Sequence, residues 1–449
     1  MFCVECQPRL FRVVQHSGTS DSAQHGRALQ LWSNLLKEKD PRSALLAGFV
    51  QNYTLSSWYA NDAFAQCYFT AFLERRMSTA HHFIKLKTFK MKSCQISSST
   101  FDVLAQIPSV RALSFDGCVP NIESSLGDTH HSRSWTRFIA AQTFFPSECY
   151  PMLSDFIDID GLEYLSVDDW SLACAILEGR RANQLRELCI PIDVSQAPEV
   201  PNFLERMPNL TRLCVRNALW SPDTCIPSHI VPRLQQLQGS VSFLNKIVPG
   251  RPVTHITISG IAILQRPFAS AAKLSTVGIR SICLPQAHFR TLHSDDFPNL
   301  ESLIIRPGCV GRSRLYSSAF PSALDRDSPL SSPTLVTYAV DPTCCWICAM
   351  WLLDLITQLV TLSNKVPAIF PHATRFRMAN IIEWRRDPGQ TWVPRVLSRP
   401  AARELLFRRD MRDVSDIDGC LRSLLRDDEL TVDDRLRLGN DFIVHDVPG

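Results

Sequence analysis

One short phrase, apolar-x-x-apolar-x-apolar, recurs along the 449 residues of this chain and constrains its fold more than any other feature. The clearest copy spans residues 210–215, Leu-Thr-Arg-Leu-Cys-Val. The eleven copies have their apolar residues at Val50/Tyr53/Leu55, Leu86/Phe89/Met91, Val110/Leu113/Phe115, Leu162/Leu165/Val167, Leu185/Leu188/Ile190, Leu210/Leu213/Val215, Val253/Ile256/Ile258, Leu274/Val277/Ile279, Leu300/Leu303/Ile305, Leu335/Tyr338/Val340 and Ala373/Phe376/Met378. Most steps between neighbouring copies come close to one or two units of 21 to 26 residues. The longer step after Leu210 predicts a degenerate copy at Leu234 and Leu237.

This spacing is typical of leucine-rich repeats, which have a period of about 20–29 residues and add one short parallel strand per unit. Several copies follow an apolar residue and a proline, such as Ile107-Pro108 and Met207-Pro208, and proline ends a preceding helix. Phe101 and Leu104 share a helical face with Ile107. We therefore predict an α/β fold, an irregular leucine-rich-repeat solenoid in which about ten to twelve parallel strands form a horseshoe with outer helices.

A doubly wound α/β protein is the alternative, because its strands also alternate with helices. The chain contains no G-x-G-x-x-G and no G-x-x-x-x-G-K-[ST] fingerprint. A doubly wound sheet also gives no reason to reuse one strand phrase throughout. The solenoid explains that reuse.

Three regions are predicted along the chain. Residues 1–44 carry Leu29, Trp32 and Leu35 near helical spacing and end at Asp40-Pro41, which indicates an N-terminal helical segment. Residues 45–390 form the solenoid, with an enlarged connection at 118–161 and a long exposed loop at 307–334. Residues 391–449 form a C-terminal helical cap, because the phrase fades there and charges of both signs alternate with leucines.

The apolar stretch 344–362 is long enough to raise a membrane span as an alternative to a buried helix of the solenoid. Asp354 lies in the middle of it and would be costly in a bilayer, so we predict the buried helix and no membrane contact. The sixteen cysteines are scattered, and the N-terminus lacks the apolar run of a signal peptide. We expect reduced thiols and a cytoplasmic or nuclear location.

No catalytic motif is present, since the chain lacks G-x-S-x-G, H-E-x-x-H and the kinase signatures. Cys3 and Cys6, and Cys344, Cys345 and Cys348, resemble half zinc sites, but neither group has a second pair at the required spacing. We therefore predict no catalytic residue, no cofactor and no metal. An unrecognised α/β enzyme remains the alternative.

In a strand, the side chains that flank buried positions point away from the core. At these positions the early repeats hold Lys90, Lys92, Asp116, Tyr164, Asp168 and Glu187. The later repeats hold the candidate partner-binding residues Arg212, Arg216, His255, Arg280, Arg306, Arg375 and Arg377, opposed by Asp341 alone. Strands about 5 Å apart would align the arginines into a stripe suited to carboxylate or phosphate groups. A solvated charged face without a ligand is the other interpretation.

The helix around Trp32 to Leu36, the turn Asp40-Pro41 and the strand at 49–55 resemble the start of the repeat region in fungal F-box and leucine-rich-repeat proteins. Residues 247–256 and 297–300 resemble further steps of that group, and the resemblance covers about Leu29 to Trp384. It implies that the repeats hold a substrate for a cullin ubiquitin ligase. The F-box, which binds the Skp1 adaptor in that group, would precede residues 9–11 and is missing or truncated, so 1–44 is its remnant or flank.

We therefore predict a protein-protein interaction module, with substrate recognition related to F-box subunits as the leading function. The predicted partner is a protein substrate, acidic or phosphorylated, rather than a nucleic acid or a membrane. A Skp1-type adaptor is expected only if an F-box is restored. The alternative is a free-standing leucine-rich-repeat scaffold without a ubiquitin role.

Overall fold

The structure is a computed structural model, and it describes residues 11–17, 45–58, 83–121, 135–216, 226–259, 278–289, 292, 297–306, 324, 329–339, 355–379, 381–387 and 390–397. The chain divides into two compact units, Met1–Leu234 and Gln235–Gly449. Each unit is built on parallel strands that carry the repeated phrase.

The described part of the N-terminal unit contains nine strands. They are β1 Val13–Ser17, β2 Asn52–Trp58, β3 Thr88–Ser97, β4 Ala112–Asp116, β5 Val119–Asn121, β6 Arg137–Ala141, β7 Tyr164–Val167, β8 Glu187–Pro191 and β9 Arg212–Arg216. Eight of these strands pair side by side in parallel, in the order β1-β2-β3-β4-β6-β7-β8-β9. The short β5 lies outside this order and pairs, also in parallel, with the end of β3. Helices at Ser98–Gln106, Tyr150–Phe156, Trp170–Ile176 and Val200–Glu205 lie between strands, as do short 3-10 helices at Ser147–Cys149, Ile159–Gly161 and Val194–Gln196.

The C-terminal unit begins with six parallel strands in chain order. They are β10 Gln236–Gly239, β11 His255–Ile258, β12 Ser281–Pro285, β13 Ser302–Arg306, β14 Leu335–Tyr338 and β15 Arg375–Met378. Two antiparallel strands follow, β16 Ile382–Arg385 and β17 Val393–Val396. Helices lie at Val241–Ile247, Gln286–Phe289, Leu355–Asn364 and Val366–Ile369.

The core is made by the apolar positions of the phrase. In β9, Leu213 and Val215 stand beside Leu188 and Ile190 of β8, so equivalent residues of successive repeats meet. Leu210, Leu213, Val215, Leu300, Leu303 and Ile305, which the sequence predicts to be buried, are at most 1% exposed. With eight parallel repeat strands in one unit and six in the other, the predicted α/β leucine-rich-repeat solenoid is confirmed.

Two copies of the phrase have a different register from the one predicted. In β12 the core residues are Ile279, Ile282 and Leu284, not Leu274/Val277/Ile279. The error arose because Ile279 fits both patterns, and the ladder with β13 selects the later one by placing Ile282 beside Leu303. In β14 the core residues are Val336 and Tyr338, so Leu335 faces away from the core. Residues 274, 277 and 340 lie outside the described residues.

The predicted degenerate copy at Leu234 and Leu237 is present as β10. Its third apolar position is Gly239, which pairs with Ile258 of β11. A Cβ atom at Gly239 would lie 2.7 Å from Cδ1 of Phe243, so the phenylalanine ring takes the space of the missing side chain. The following helix therefore completes this repeat.

Two repeat strands were not predicted. β6 lies within 118–161, where an enlarged connection was expected, and it buries Trp135, Phe138 and Ala140 at the three apolar positions. Successive first positions at Leu86, Val110, Trp135, Leu162, Leu185 and Leu210 are then 23 to 27 residues apart. β1 lies within 1–44, where helix was expected, and pairs with β2. The predicted helix around Trp32 and residues 398–449 of the predicted cap lie outside the described residues, and those domain boundaries stay a prediction.

The described part of the chain contains no helix long and apolar enough to cross a membrane. The end of the apolar stretch 344–362 belongs to the helix Leu355–Asn364. Gln358, Leu359 and Leu362 of this helix are buried. The earlier residues 344–354 lie outside the described residues.

The register of β13 predicts unequal effects for two adjacent substitutions. Leu303 is fully buried, whereas Ile304 is half-buried on the opposite side of the strand. We expect Leu303→Ala to lower the free energy of unfolding by about 2–5 kcal/mol, because it leaves a cavity between stacked repeats. Ile304→Ala, the matched control, should cost less than about 1.5 kcal/mol. Urea denaturation measures both, and equal losses would contradict this register.

Candidate functional site: the strand face

The strand face is defined as the side chains of the repeat strands that alternate with the buried apolar residues. In β9 these are Arg212, Cys214 and Arg216, which are exposed or half-buried. Neighbouring strands lie about 4.8 Å apart, so parallel pairing places equivalent side chains within contact distance. The predicted stripe of arginines belongs to this face, and its chemistry depends on which residues the ladder places next to each arginine.

In the N-terminal unit, the arginines of the strand face meet acidic residues of neighbouring strands. Arg212 Nη1 lies 3.4 Å from Glu187 Oε2. Arg216 forms an ion pair with Asp168, and its Nη2 donates to Ser166 Oγ at 2.8 Å. The expectation that Asp341 alone opposes the arginines is therefore wrong. The expectation failed because the sequence period assigns the acidic and basic residues to different repeats. Pairing of the strands brings side chains of different repeats into contact.

In the C-terminal unit, three of the predicted partner-binding residues lie at different positions along their strands. His255 begins β11, and its Nδ1 lies 2.8 Å from Thr254 Oγ1. Arg280 precedes β12 rather than following a strand, as a result of the corrected register, and its Nη1 donates to Glu301 Oε1 at 2.7 Å. Arg306 is exposed at the end of β13. These residues do not form one row.

Arg375 and Arg377 of β15 are brought together by a buried carboxylate. Glu383 of β16 pairs with Arg377 in the antiparallel ladder and is fully buried. Its Oε2 accepts from Arg375 Nη2 at 2.9 Å and from Arg377 Nε at 2.6 Å. Its Oε1 accepts from Arg385 Nε.

The ladder adds a fourth arginine to this group, because Arg395 of β17 pairs with Glu383. We call Arg375, Arg377, Glu383, Arg385 and Arg395 the arginine–glutamate cluster. Sequence reasoning missed Glu383, Arg385 and Arg395 because β16 and β17 do not carry the repeated phrase. The signal that was available is the alternation of charged and apolar residues in Arg375–Met378 and Ile382–Arg385.

The electrostatics of Glu383 follow from this arrangement. Burial alone would raise the pKa of its carboxyl group, but hydrogen bonds from Arg377, Arg375 and Arg385 outweigh burial and lower the pKa from 4.5 to about 2. The carboxylate is therefore ionised at neutral pH. Three guanidinium groups hold this one carboxylate and Arg395 lies on the neighbouring strand, so the cluster keeps a surplus of positive charge.

The two units differ in charge over the described residues. The N-terminal unit has fourteen Lys or Arg and fourteen Asp or Glu there. In the C-terminal unit, the described acidic residues are the three at Glu301, Glu383 and Asp387. The described basic residues are the ten at Lys246, Arg251, Arg280, Arg306, Lys365, Arg375, Arg377, Arg385, Arg386 and Arg395. The basic excess is confined to the described residues, because residues 235–449 as a whole contain 25 Lys or Arg and 21 Asp or Glu.

Several cysteines have structural surroundings. Cys94 Sγ donates to the Leu55 carbonyl at 3.6 Å, and Cys118 Sγ donates to the Met91 carbonyl at 3.4 Å, each carbonyl belonging to the preceding repeat strand. Burial raises the pKa of the Cys118 thiol. These thiol hydrogen bonds link successive repeats.

An open groove of about 790 Å³ lies between the helices Trp170–Ile176 and Val200–Glu205. Trp170 and Phe203 line it with their ring centroids 4.6 Å apart. Cys174 also lines it, and burial, followed by the charge of Glu199, raises the pKa of this thiol to about 11. Within the described ranges, no group of three or more His, Cys, Asp or Glu residues is arranged to hold a metal. With its pKa raised to about 11, the Cys174 thiol in this groove stays protonated at neutral pH.

No family model and no curated protein matches the chain. Among solved structures, it is similar to the crystal structure of the TLR13-ssRNA13 complex, with 15% identity over 66% of this chain and a TM-score of 0.30. The chain spans 41% of that protein's length. A similarity at this level carries no argument about function, so the fold assignment rests on the strand ladder and the buried repeat positions.

The lowered pKa of Glu383 predicts a pH-dependent contribution to stability. A carboxyl group whose pKa is lower in the folded state stabilises the fold above its ordinary pKa of 4.5, and this contribution is lost as the pH falls towards about 2. We expect Glu383→Gln to lower the free energy of unfolding by about 2 kcal/mol at pH 7, since the arginines stay partly hydrated. Urea denaturation should show this difference shrinking as the pH approaches about 3.

The matched control is Glu301→Gln, which makes the same change in an exposed ion pair with Arg280. It should cost less than about 1 kcal/mol and depend little on pH. A Glu383→Gln difference that stays constant between pH 7 and about 3 would contradict the ionised, arginine-held carboxylate.

Proposed function

We propose that this protein is a non-enzymatic interaction module that binds an acidic or phosphorylated segment of a protein partner through the strand face of its C-terminal unit. The observation that carries the proposal is the arginine–glutamate cluster, in which Arg375, Arg377 and Arg385 hold one buried carboxylate and stay partly exposed. A solenoid of this type presents an extended surface, and such surfaces serve binding. The fold alone does not assign a function, so the charge carries the argument.

Arginine suits this role because its planar guanidinium group forms paired hydrogen bonds with carboxylate and phosphate groups. Arg306 is exposed at the end of β13, and the side chain of Arg385 is 44% exposed. Arg375 and Arg377 are 39% and 30% exposed while bound to Glu383. The predicted residues Arg212 and Arg216 are engaged by carboxylates of the N-terminal unit, so we place the binding surface in the C-terminal unit.

A finer proposal is that the bound protein is a substrate of a cullin ubiquitin ligase, with this chain related to F-box subunits. It is supported by the sequence resemblance around Trp32, Asp40-Pro41 and residues 49–55. The competing proposal is a free-standing scaffold that uses the same surface without a ubiquitin role. Both share the fold and the basic strand face, so the adaptor interaction distinguishes them.

The binding surface can be tested with a fluorescent, glutamate-rich peptide and a phosphoserine-containing peptide. We expect Arg306→Gln combined with Arg385→Gln to weaken binding of both by about fivefold or more, because the change removes two exposed strand-face charges. The control variant, Lys246→Gln combined with Lys365→Gln, also removes two positive charges, but from the helical connections. It should change the affinity for either peptide by less than about twofold. Fluorescence anisotropy at about 50 and about 300 mM salt measures the affinities and their screening.

Equal losses in the two double variants would show that binding follows net charge alone and would contradict the strand-face surface. No binding of either peptide by the parent protein would contradict the proposed function. Tighter binding of a single-stranded RNA of similar charge would favour a nucleic-acid partner over a protein partner.

The ligase proposal is tested by the protein as expressed from its own gene, with whatever sequence precedes residue 1. Affinity purification followed by mass spectrometry should recover a Skp1-type adaptor in stoichiometric amount if the F-box relationship holds. Recovery of the protein without an adaptor would favour the free-standing scaffold. The Arg306→Gln and Arg385→Gln variant serves as a control, because it should keep the adaptor while losing the acidic partner.

A further inference from the structure

Cys189 and Cys214 lie side by side on the strand face of the N-terminal unit. They occupy paired positions of the parallel strands β8 and β9, and both are half-buried cysteines outside any disulfide. Neighbouring strands lie about 4.8 Å apart. The Cα atoms of a disulfide lie about 4.4–6.8 Å apart, so the spacing of paired strands meets this requirement.

The surroundings of the pair favour thiol chemistry. Arg216 Nε donates to Cys189 Sγ at 3.1 Å, and the charge of Arg212 also acts on Cys189. Guanidinium groups favour a thiolate. The hydrogen bond between Cys189 and Cys214, followed by burial, outweighs them and raises the pKa of Cys189. Cys189 therefore keeps its proton, and Cys214 lies within hydrogen-bond reach of it.

We propose that Cys189 and Cys214 form a reversible redox site whose co-reactant is a low-molecular-weight disulfide such as oxidised glutathione. This site lies in the N-terminal unit and does not depend on the proposed function of the C-terminal unit. The two cysteines share one row of the strand face, next to Ser166 of β7.

The reaction has two exchange steps. The Cys214 thiolate attacks one sulfur of the glutathione disulfide, the sulfur–sulfur bond breaks, and the released glutathione thiolate takes up the proton that Cys214 lost. Cys189 then loses its proton and attacks the Cys214 sulfur, which releases the second glutathione as a thiol. The protein dithiol is oxidised by two electrons to a disulfide, and one glutathione disulfide is reduced to two thiols.

Cys174 provides a contrast within the same unit. It is half-buried, has no neighbouring thiol in its groove, and burial raises its pKa to about 11. Cys94 and Cys118 are fully buried and bonded to carbonyl groups. None of these three combines exposure, a partner thiol and an arginine.

The test exposes the reduced full chain to glutathione buffers of graded redox ratio, followed by acid quenching, digestion and mass spectrometry. We expect peptides carrying Cys189 and Cys214 to be joined at ratios where Cys174 stays reduced, and to separate again in excess reduced glutathione. Cys189→Ser should accumulate a glutathione mixed disulfide at Cys214, because the second thiol is missing. Cys214→Ser should leave Cys189 modified at least about tenfold more slowly.

Circular dichroism confirms that each variant is folded, and Cys214→Ala replaces Cys214→Ser if the latter is not. Absence of the joined peptides at every ratio would overturn the proposal. It would also be overturned by joining only after unfolding in urea, by modification of Cys174 at the same rate, or by equal behaviour of the two serine variants.

Discussion

The strand phrase of a single repeat presents only two or three apolar side chains to the interior, which is too few to form a core. Burial is achieved because parallel pairing stacks each repeat on the next, as Leu188 does with Leu213. Since side chains alternate between the two sides of a strand, a slip of one residue would expose the whole apolar set. The hydrophobic effect therefore fixes the register, and the register fixes every neighbour on the strand face.

The strand face illustrates this dependence in two ways. In the N-terminal unit, the ladder places acidic and basic residues of different repeats together, as with Arg212 and Glu187. Exposed pairs of this kind contribute at most about 1 kcal/mol each, so they determine surface charge rather than stability. In the C-terminal unit, the antiparallel strand β16 inserts the buried Glu383 among arginines and leaves a surplus of positive charge there.

The solenoid class could be predicted from sequence because nine of the eleven copies of the phrase mark a core strand in the expected register. Individual strands were harder to predict. Trp135 differs too much in size from leucine to be read as a repeat position, although it is buried just before β6. Ile279 is compatible with two registers, and only contact with the next strand distinguishes them.

The candidate site was predictable only in part, for the same reason. The sequence identified Arg375 and Arg377 as exposed strand residues, but their partner Glu383 lies on a strand outside the repeat pattern. It also placed Arg280 at the end of a strand, whereas the ladder places it before the strand, beside Glu301. Charge pairing between repeats depends on three-dimensional register, and a one-dimensional period does not contain that information.

The in-register ladder is most directly tested by nuclear Overhauser effects between methyl groups in protein labelled at isoleucine, leucine and valine. Paired strands predict contacts between Ile282 and Leu303 and between Leu303 and Val336. The register expected from the sequence phrase predicts instead a contact between Ile279 and Ile305 as equivalent residues. Observation of the first two contacts would support the ladder on which the strand face depends, and observation of the Ile279–Ile305 contact in their place would contradict it.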